Sequence, residues 1–240
     1  MEAKKRVAIC FIGTNKYLNF FETFYRSIKK LFLPDCEKTI FLFTDGPVCE
    51  YPDVKTVAIE HQPWPFITLQ RFETILKVEQ ELKEFDWFVY LDADMLVNTK
   101  ISFADFFNTE KKWFGVQHPG FLNGGGTFEF RKKSKAAVNP ATDDISTYWQ
   151  GCLWGGKIEP VIELCKELSS RTNVDLQNNL IAIWHDESHL NKFYIENKQH
   201  VHTLNAGFAY PEKWQLPFRK NILHVHKGFP SPEEFLRSQQ

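Results

Sequence analysis

Short apolar runs alternate with helical patterns through the first half of the chain. Four runs are apolar on both faces, like strands in a covered sheet, and we predict strands at RVAICFIG, KTIFLFTD, VKTVAIEH and DWFVYLDAD. One helical pattern lies around Leu18–Leu33. A second spans TLQRFETILKVEQELKEF, with apolar residues at near-helical spacing at Leu69, Phe72, Leu76 and Leu82. This alternation predicts an α/β fold with a mostly parallel central sheet, covered by helices on both sides.

The second half of the chain has a less regular pattern. We predict strands at WFGVQHP and GTFEFRK on either side of a loop, GFLNGGG, and further strands at HVHTL and NILHVH. Helices are predicted at GGKIEPVIELCKELSSR, which has Pro160 in its first turn, and at WHDESHLNKFYIENK. No repeat, low-complexity segment or linker is found, so residues 1–240 are expected to form a single domain.

Composition and charge argue against several kinds of partner. The chain carries 29 Lys and Arg against 30 Asp and Glu, so its net charge of −1 offers no basic field for nucleic acid. No apolar run approaches the roughly 18 residues of a membrane span, and MEAKKRVAIC lacks the apolar segment of a signal peptide. Five cysteines without CxxC spacing are typical of reduced thiols, so a cytoplasmic protein is expected.

The stretch YLDADMLV places two carboxylates at the end of a predicted buried strand. In a parallel α/β sheet, ligands gather at the carboxyl ends of the strands. Side chains two residues apart in an extended chain point the same way, so Asp92 and Asp94 would face one point. Oxygen ligands of this kind favour Mg²⁺ or Mn²⁺. The alternative is a turn in which one aspartate caps the next helix.

The stretch WHDESHLNK places an aromatic ring, an imidazole and two carboxylates at the probable start of a helix. Trp184 offers a stacking surface, and Asp186 and Glu187 are candidates for acid chemistry. The same acids would also stabilise a helix N-terminus through its dipole. The residues alone leave both interpretations open.

Three other stretches carry candidate ligand-binding residues. HPGFLNGGG combines His118 with Gly124–Gly126, which form either a flexible loop or a place where a ligand approaches the backbone. WQGCLWGG surrounds Cys152 with glycines and aromatic residues. The pattern HVH occurs at His200/His202 and again at His224/His226, where a metal site is possible but a half-exposed strand is more common.

These stretches together resemble glycosyltransferase family 6, which contains the histo-blood-group A and B transferases and the α-1,3-galactosyltransferases. The matching segments, in order, are IGTNKY, DADM, FGVQHPGF, WQGCLWGG and WHDESHLNK, with a looser match at LPFRKNILHVHKG. The resemblance implies a single GT-A domain with a Rossmann-like nucleotide-sugar site. It also implies retaining transfer from UDP-galactose or UDP-N-acetylgalactosamine, in α-1,3 linkage, to a galactose-containing oligosaccharide.

The resemblance also assigns residues to the donor. By position, Asp92 and Asp94 match the pair that holds Mn²⁺ (or Mg²⁺) against the diphosphate. Uracil contacts fall at Ile12 and Tyr17, and the remaining donor-binding positions are Arg71, Gln150, Gly151, Cys152 and Lys227. In this family the residue at the position of Cys152 helps to choose the sugar. Because cysteine is larger than glycine or alanine, we expect galactose rather than N-acetylgalactosamine, although Gln150 could bind the acetamido group.

Acceptor and catalytic positions follow in the same way. His118 and Trp184 match acceptor contacts. Glu187 matches the glutamate that serves the family as nucleophile or acceptor ligand, with Asp186 beside it. Vertebrate members carry a membrane anchor and stem, whereas the catalytic segment here begins almost at Met1, as in bacterial and viral relatives. Some bacterial relatives have lost the acidic pair, which is retained here.

Two other functions remain compatible with parts of the sequence. FVYLDADMLV resembles the D-x-D strand end of a haloacid-dehalogenase-type phosphatase, although that motif usually lies near the N-terminus. A noncatalytic sugar-binding module would use the aromatic residues, which make up 15% of the chain, but would leave Glu187 and the acidic pair without a role.

Overall fold

The computed structural model describes residues 4–225. Strands in this part, numbered in chain order, are β1 (Arg6–Ile12), β2 (Glu37–Thr44), β3 (Val54–Ala58), β4 (Trp87–Leu91), β5 (Met95–Val97), β6 (Trp113–Gln117), β7 (Trp149–Lys157), β8 (Val201–Leu204), β9 (Tyr210–Pro211) and β10 (Ile222–His224). Helices are α1 (Phe21–Leu31), α2 (Phe66–Leu69), α3 (Arg71–Leu76), α4 (Glu79–Leu82), α5 (Phe103–Phe106), α6 (Ile158–Gln177) and α7 (His185–Glu196). Short 3-10 helices occur at Asn15–Phe20, Pro119–Phe121, Lys198–His200 and Ala206–Phe208. No helix within residues 4–225 is long and apolar enough to cross a bilayer.

A seven-stranded sheet forms the centre of the fold, in the order β3-β2-β1-β4-β7-β6-β8. The pairs β3-β2, β2-β1, β1-β4 and β6-β8 are parallel, whereas β7 is antiparallel to both of its neighbours. Only β7 therefore runs against the direction of the other strands. The predicted α/β fold with a mostly parallel sheet is confirmed, and the architecture is that expected of a GT-A glycosyltransferase.

Each face of this sheet carries its own apolar layer. Alternate side chains of β1 enter opposite layers: Val7, Ile9 and Phe11 on one face, and Ala8 and Cys10 on the other. Helix α1 packs on the first face, and helices α6 and α7 pack on the second. Both layers consist mainly of buried apolar side chains, and β1 and β4 contribute to each of them.

The sequence pattern does not predict strand β7, because its three glycines, Gly151, Gly155 and Gly156, interrupt the apolar run. A Cβ on Gly155 would lie 2.1 Å from the carbonyl oxygen of Phe88, and one on Gly156 would lie 2.2 Å from that of Lys112. These glycines allow the neighbouring backbones to approach closely. Glycine is therefore a requirement of this central strand and does not mark a loop.

Two sequence predictions are wrong in detail. The segment GTFEFRK is not a strand: Glu129 instead binds the backbone N–H groups of Arg131 and Ile183 through its carboxylate, and residues 122–148 contain no strand. The long helix predicted after β3 is divided into α2, α3 and α4. The backbone leaves helical geometry at Gln70 (ψ 12°) and at Val78 (ψ 26°), where one helix ends and the next begins.

A second, three-stranded sheet lies against the α1 face, in the order β5-β10-β9. Strand β5 follows the acidic stretch directly, and its Met95 pairs with His224 of β10. The N–H of Val225 donates to the carbonyl oxygen of Asp94 at 2.9 Å. This small sheet therefore brings a C-terminal histidine to the carboxyl end of β4.

Candidate active site

Asp92 lies at the carboxyl end of β4, where the chain leaves the central sheet. Its Oδ1 accepts a hydrogen bond from the Tyr90 hydroxyl at 2.7 Å, and its backbone N–H donates to the carbonyl oxygen of Cys152 at 2.9 Å. The N–H of Met95 donates to the carbonyl oxygen of Asp92, which closes a turn over residues 92–95. The chain is therefore not extended here, and the expectation of parallel side chains two residues apart is wrong. The turn gives the two aspartates different neighbours.

Asp94 is almost completely buried and faces the small sheet. Its Oδ2 lies 3.3 Å from Nε2 of His224. Asp94 lines a shallow cleft of about 380 Å³, whereas Asp92 lines the neighbouring cleft described below, and His224 lines both. The two carboxylates therefore flank one histidine at the junction of the two clefts.

Arg71, the first residue of α3, lies beneath the acidic residues. Its side chain is 6% exposed, with Nη1 donating to the carbonyl oxygen of Gly151 at 2.8 Å and lying 3.4 Å from Asp92 Oδ1. Its Nε lies 3.0 Å from Asp186 Oδ2, and its guanidinium lies 4.6 Å from the centre of the Tyr90 ring. Burial, the largest single influence, lowers the pKa of Arg71, but the charges of Asp186, Asp92 and Glu187, together with Tyr90, outweigh it and raise the pKa. Arg71 is therefore a fixed positive charge that joins two acidic segments.

Asp186 and Glu187 occupy the first turn of α7, as predicted. Burial raises the pKa of Asp186 to about 7, and the neighbouring Arg71 opposes that shift. Burial also raises the pKa of Glu187, whereas hydrogen bonds from the Gly151 N–H and the Tyr148 hydroxyl lower it. Both hydrogen bonds are 2.7 Å long, and each reaches a different carboxylate oxygen. The two donors thus hold the Glu187 carboxylate in one orientation, and both stabilise its ionised form.

An irregularity in β7 supplies one of those donors. Gly115 of β6 is opposite Trp154 and Val116 is opposite Gln150, so residues 151–153 have no counterpart on β6. Bulges of this kind redirect strands beside functional sites. A Cβ on Gly151 would lie 3.2 Å from Cβ of Glu187. The bulge and the missing side chain together let α7 approach the strand closely enough for the Gly151–Glu187 hydrogen bond.

These residues surround a cleft of about 170 Å³. Most of the predicted site residues lie there, and the full lining is Trp64, Thr68, Arg71, Asp92, Gln150, Gly151, Cys152, Trp184, His185, Asp186, Glu187 and His224. The Trp184 ring remains 49% exposed at the rim, whereas Cys152 is 3% exposed at the base. The Oε1 atom of Gln150 is buried and has no hydrogen-bond partner within the described residues.

Besides Asp94, three predicted site residues in the described part of the chain lie outside this cleft. Ile12 and Tyr17 are outside the cleft, at and just after the carboxyl end of β1, which pairs with β4. His118 packs against the rings of Phe121 and Tyr148, and burial lowers its pKa to about 4, with a smaller contribution from His224. Lys227 lies outside the described residues. The donor and acceptor roles of all these residues, inside and outside the cleft, stay predictions.

Three further residues of the site were not singled out from the sequence. Tyr90 and Tyr148 each donate a hydroxyl to an acidic residue of the site, and Trp64 covers one side of the cleft, with its ring 4.9 Å from that of His185. The signal in the sequence was a tyrosine two positions before Asp92, because Tyr90 lies in the buried strand whose end carries Asp92. Nothing in the sequence connects Tyr148 with Glu187.

The donor atoms suit a hard divalent cation with few protein ligands. Within residues 4–225 no group of three or more His, Cys, Asp or Glu side chains is arranged to hold a metal. Asp92 and Asp94 supply carboxylate oxygens, which are ligands of the kind that Mg²⁺ and Mn²⁺ combine with substrate phosphates and water. The Asp92 side chain is 28% exposed to the cleft, so a ligand can reach it. The residues present fit such a cation.

Comparison with known proteins agrees with this geometry. The sequence profile of glycosyltransferase family 6 matches residues 2–227. The O-antigen biosynthesis glycosyltransferase WbnI of Escherichia coli is 33% identical over 214 residues, which cover 87% of this chain and 89% of that protein. Histo-blood group ABO system transferase 1 of Rattus norvegicus is 28% identical over 223 residues, covering 86% of this chain and 61% of the relative.

Human globoside alpha-1,3-N-acetylgalactosaminyltransferase 1 is 25% identical over 207 residues, covering 80% of this chain and 57% of that protein. The chain thus spans little more than half the length of these vertebrate relatives. The matched region contains the carboxyl end of β4, strand β7 and the start of α7, where the acidic residues and Arg71 meet. The chain belongs to glycosyltransferase family 6.

Proposed function

We propose that this glycosyltransferase is a retaining enzyme that requires Mn²⁺ or Mg²⁺. It would move galactose or N-acetylgalactosamine from a UDP-sugar, in α-1,3 linkage, to a β-galactoside acceptor. The observation that supports this most directly is the meeting of Asp92, Asp186 and Glu187 around Arg71 in one cleft. Family membership favours this function over the phosphatase and the noncatalytic sugar-binding module.

The acidic pair at the end of β4 would serve the leaving group. UDP develops negative charge as the glycosidic bond breaks, and a bound divalent cation stabilises that charge. The Asp92 carboxylate contacts Tyr90 and Arg71, and the Asp94 carboxylate lies 3.3 Å from Nε2 of His224, so both carboxylates are oriented before substrate arrives. This preorganisation limits the free energy that binding would otherwise spend on ordering the side chains.

Glu187 would stabilise the sugar that is being transferred. Retention of configuration requires a carboxylate that stabilises positive charge on the anomeric carbon from the face opposite the leaving group. Glu187 lines the cleft, and its two hydrogen bonds lower its pKa against the larger opposite effect of burial. Asp186 is more deeply buried and paired with Arg71, so we assign it to holding Arg71 and α7 in place.

The acceptor would lie on the Trp184 side of the cleft. Exposed tryptophan rings offer an apolar face to a sugar and a polar N–H at the edge. His118 has a pKa of about 4, so at neutral pH it is an uncharged hydrogen-bond partner. Because Nδ1 of His118 accepts a hydrogen bond from the Gly120 N–H at 3.0 Å, Nε2 carries the proton and would donate to a sugar hydroxyl.

The donor sugar would be chosen at the base of the cleft, where we propose galactose over N-acetylgalactosamine. Cys152 lines the cleft and is almost completely buried, and its side chain would leave less room for an acetamido group than glycine or alanine would. Gln150 Oε1 lacks a partner within the described residues, and either the 2-hydroxyl of galactose or an acetamido N–H could donate to it. Since Gln150 could bind either sugar, the proposed preference for galactose rests on the size of the Cys152 side chain.

A donor and acceptor panel tests this proposal. The enzyme would be incubated with UDP-galactose, UDP-N-acetylgalactosamine and UDP-glucose, each with lactose or another β-galactoside, in the presence of Mn²⁺. Mass spectrometry and NMR of the product report the sugar and the anomeric linkage. We expect an α-1,3 product and UDP release that depends on the acceptor. A β-linked product, or equal transfer after removal of divalent cations, would contradict the mechanism.

A further inference from the structure

A surface beside the acceptor rim combines basic and apolar side chains. It consists of residues 130–133, Lys135, Ile181 and Ile183, and we call it the basic–apolar face. Phe130 is 51% exposed, Ile181 37% and Ile183 46%, although large apolar side chains of this kind are usually buried. They are not scattered, because hydrogen bonds hold the two segments that carry them together.

Glu129 and Arg131 join the two segments. The Glu129 carboxylate is 2% exposed and accepts hydrogen bonds from the Arg131 side chain and from the backbone N–H of Ile183 at 2.9 Å. Arg131 Nη2 also donates to the carbonyl oxygen of Ile181 at 2.7 Å. Phe130, between Glu129 and Arg131 in the chain, therefore belongs to a segment that is hydrogen-bonded to the segment carrying the two isoleucines.

A rigid turn presents two lysines at the same place. The N–H of Ser134 donates to the carbonyl oxygen of Arg131 at 2.9 Å, which leaves Lys132 and Lys133 at the exposed centre of the turn. The base of the turn is tied to α6, because Asp175 accepts hydrogen bonds from the Ser134 hydroxyl and the Lys135 N–H. Glu129 and Asp175 are buried and occupied, so neither neutralises the lysines at the surface.

We propose that the basic–apolar face binds the surface of a membrane that contains anionic phospholipid. Lysines near such a surface are attracted by its negative potential, and apolar side chains between them enter the boundary of the acyl chains. A soluble polyanion would engage the lysines but would leave Phe130, Ile181 and Ile183 without an apolar partner. The mixture of charge and apolar surface therefore favours a bilayer.

The position of this face has a consequence for the proposed function. Ile183 precedes Trp184, which lies on the rim of the cleft. A bilayer bound at the basic–apolar face would lie next to the acceptor side. This consequence rests on the proposed function, whereas lipid binding itself does not, and the two can be tested separately.

Vesicle sedimentation tests the lipid binding directly. The full chain would be mixed with vesicles of phosphatidylcholine alone, or of phosphatidylcholine and phosphatidylglycerol, at low and high salt. We expect binding only to the anionic vesicles and weaker binding at high salt, because salt screens exposed charges. Lys132→Glu/Lys133→Glu should lower the partition coefficient at least about tenfold. Phe130→Ser/Ile183→Ser should lower it severalfold at unchanged charge.

Matched variants elsewhere on the surface provide the controls. Lys4→Glu/Lys5→Glu reverses two consecutive exposed lysines, and Val48→Ser removes an apolar side chain that is 77% exposed. Both should bind vesicles as the wild type does. Transfer to a small soluble acceptor should be unchanged in Lys132→Glu/Lys133→Glu. The transfer assay therefore tests the proposed function, and vesicle sedimentation separately tests lipid binding.

Three results would overturn the proposal. The first is absence of wild-type binding to anionic vesicles. The second is an equal loss of binding in Lys4→Glu/Lys5→Glu, which would show unspecific attraction. The third is capture by heparin through Lys132 and Lys133 without vesicle binding, which would make the face a site for soluble polyanions.

Discussion

Nε of Arg71 lies 3.0 Å from Oδ2 of Asp186, and each of these side chains is only 6% exposed. The pair joins the start of α3 to the start of α7, and Arg71 extends the connection to Asp92 at the end of β4. Removing one member of a buried ion pair is costly because the other charge remains without compensation. Several consequences of this arrangement can be measured.

Arg71→Met should destabilise the protein and abolish transfer. It leaves Asp186 buried without a counter-charge, which costs about 3–5 kcal/mol of unfolding free energy. Arg71→Met/Asp186→Asn removes both charges and should recover part of that stability without recovering activity. Urea unfolding followed by circular dichroism reports the two free energies. Equal stability of the two variants would mean that the ion pair does not couple α3 to α7.

Asp92→Asn and Asp94→Asn should each weaken Mn²⁺ binding and remove most transfer activity. The reason is that each replaces a charged oxygen ligand by a neutral amide at the end of β4. Isothermal titration with Mn²⁺ and UDP measures binding without requiring turnover. Glu84→Gln, at an exposed position away from the cleft, is the control and should behave as the wild type. If both aspartate variants bound Mn²⁺ with wild-type affinity, the assignment of the metal to this site would be wrong.

Glu187→Gln should lower kcat at least about a hundredfold, with a smaller effect on the affinity for UDP. A carboxylate that acts mainly in the transition state has this signature. Stopped assays with saturating donor give kcat, and titration with UDP gives the affinity. An unchanged kcat would show that Glu187 has no part in turnover and only stabilises the N-terminus of α7.

Tyr148→Phe should shift the pH dependence of kcat. The Tyr148 hydroxyl lowers the pKa of Glu187, so its removal raises that pKa. If turnover requires the ionised carboxylate, activity in the variant is lost at a higher pH as the solution is acidified. The acidic limb of the kcat profile therefore moves upward in pH, whereas a purely structural defect would lower kcat equally at every pH. Tyr51→Phe, which removes a hydrogen bond to Glu22 far from the cleft, is the matched control.

Cys152→Gly should shift donor preference from UDP-galactose towards UDP-N-acetylgalactosamine. Discrimination by shape in such a pocket is worth about 1–3 kcal/mol, so the ratio of kcat/KM values should change by about tenfold or more. Cys165→Gly is not a suitable control because it lies inside α6; Cys49→Ser, at a half-buried position outside the cleft, is preferable. A wild-type preference for the larger donor would show that the pocket opens elsewhere.

The amino-acid sequence by itself determined the fold class, the family and most of the residues around the cleft. Runs such as RVAICFIG and DWFVYLDAD are apolar on both faces, and this property follows from local composition because both faces of a covered sheet exclude water. The motif residues Asp92, Asp186 and Glu187 could be singled out because acidic side chains beside apolar runs need a partner or a ligand.

The tertiary structure alone decided which of these residues meet. Strand β7 could not be recognised locally, because its glycines are required by backbones that belong to β4 and to the segment before β6. The partners of Glu187 and Asp94 are likewise distant in sequence: Tyr148 donates to Glu187, and His224 lies beside Asp94. Burial raises the pKa of Asp186 to about 7, and burial is a property of the packed molecule. Sequence patterns report the local preference of a segment, whereas the pairing of distant charges depends on packing through space.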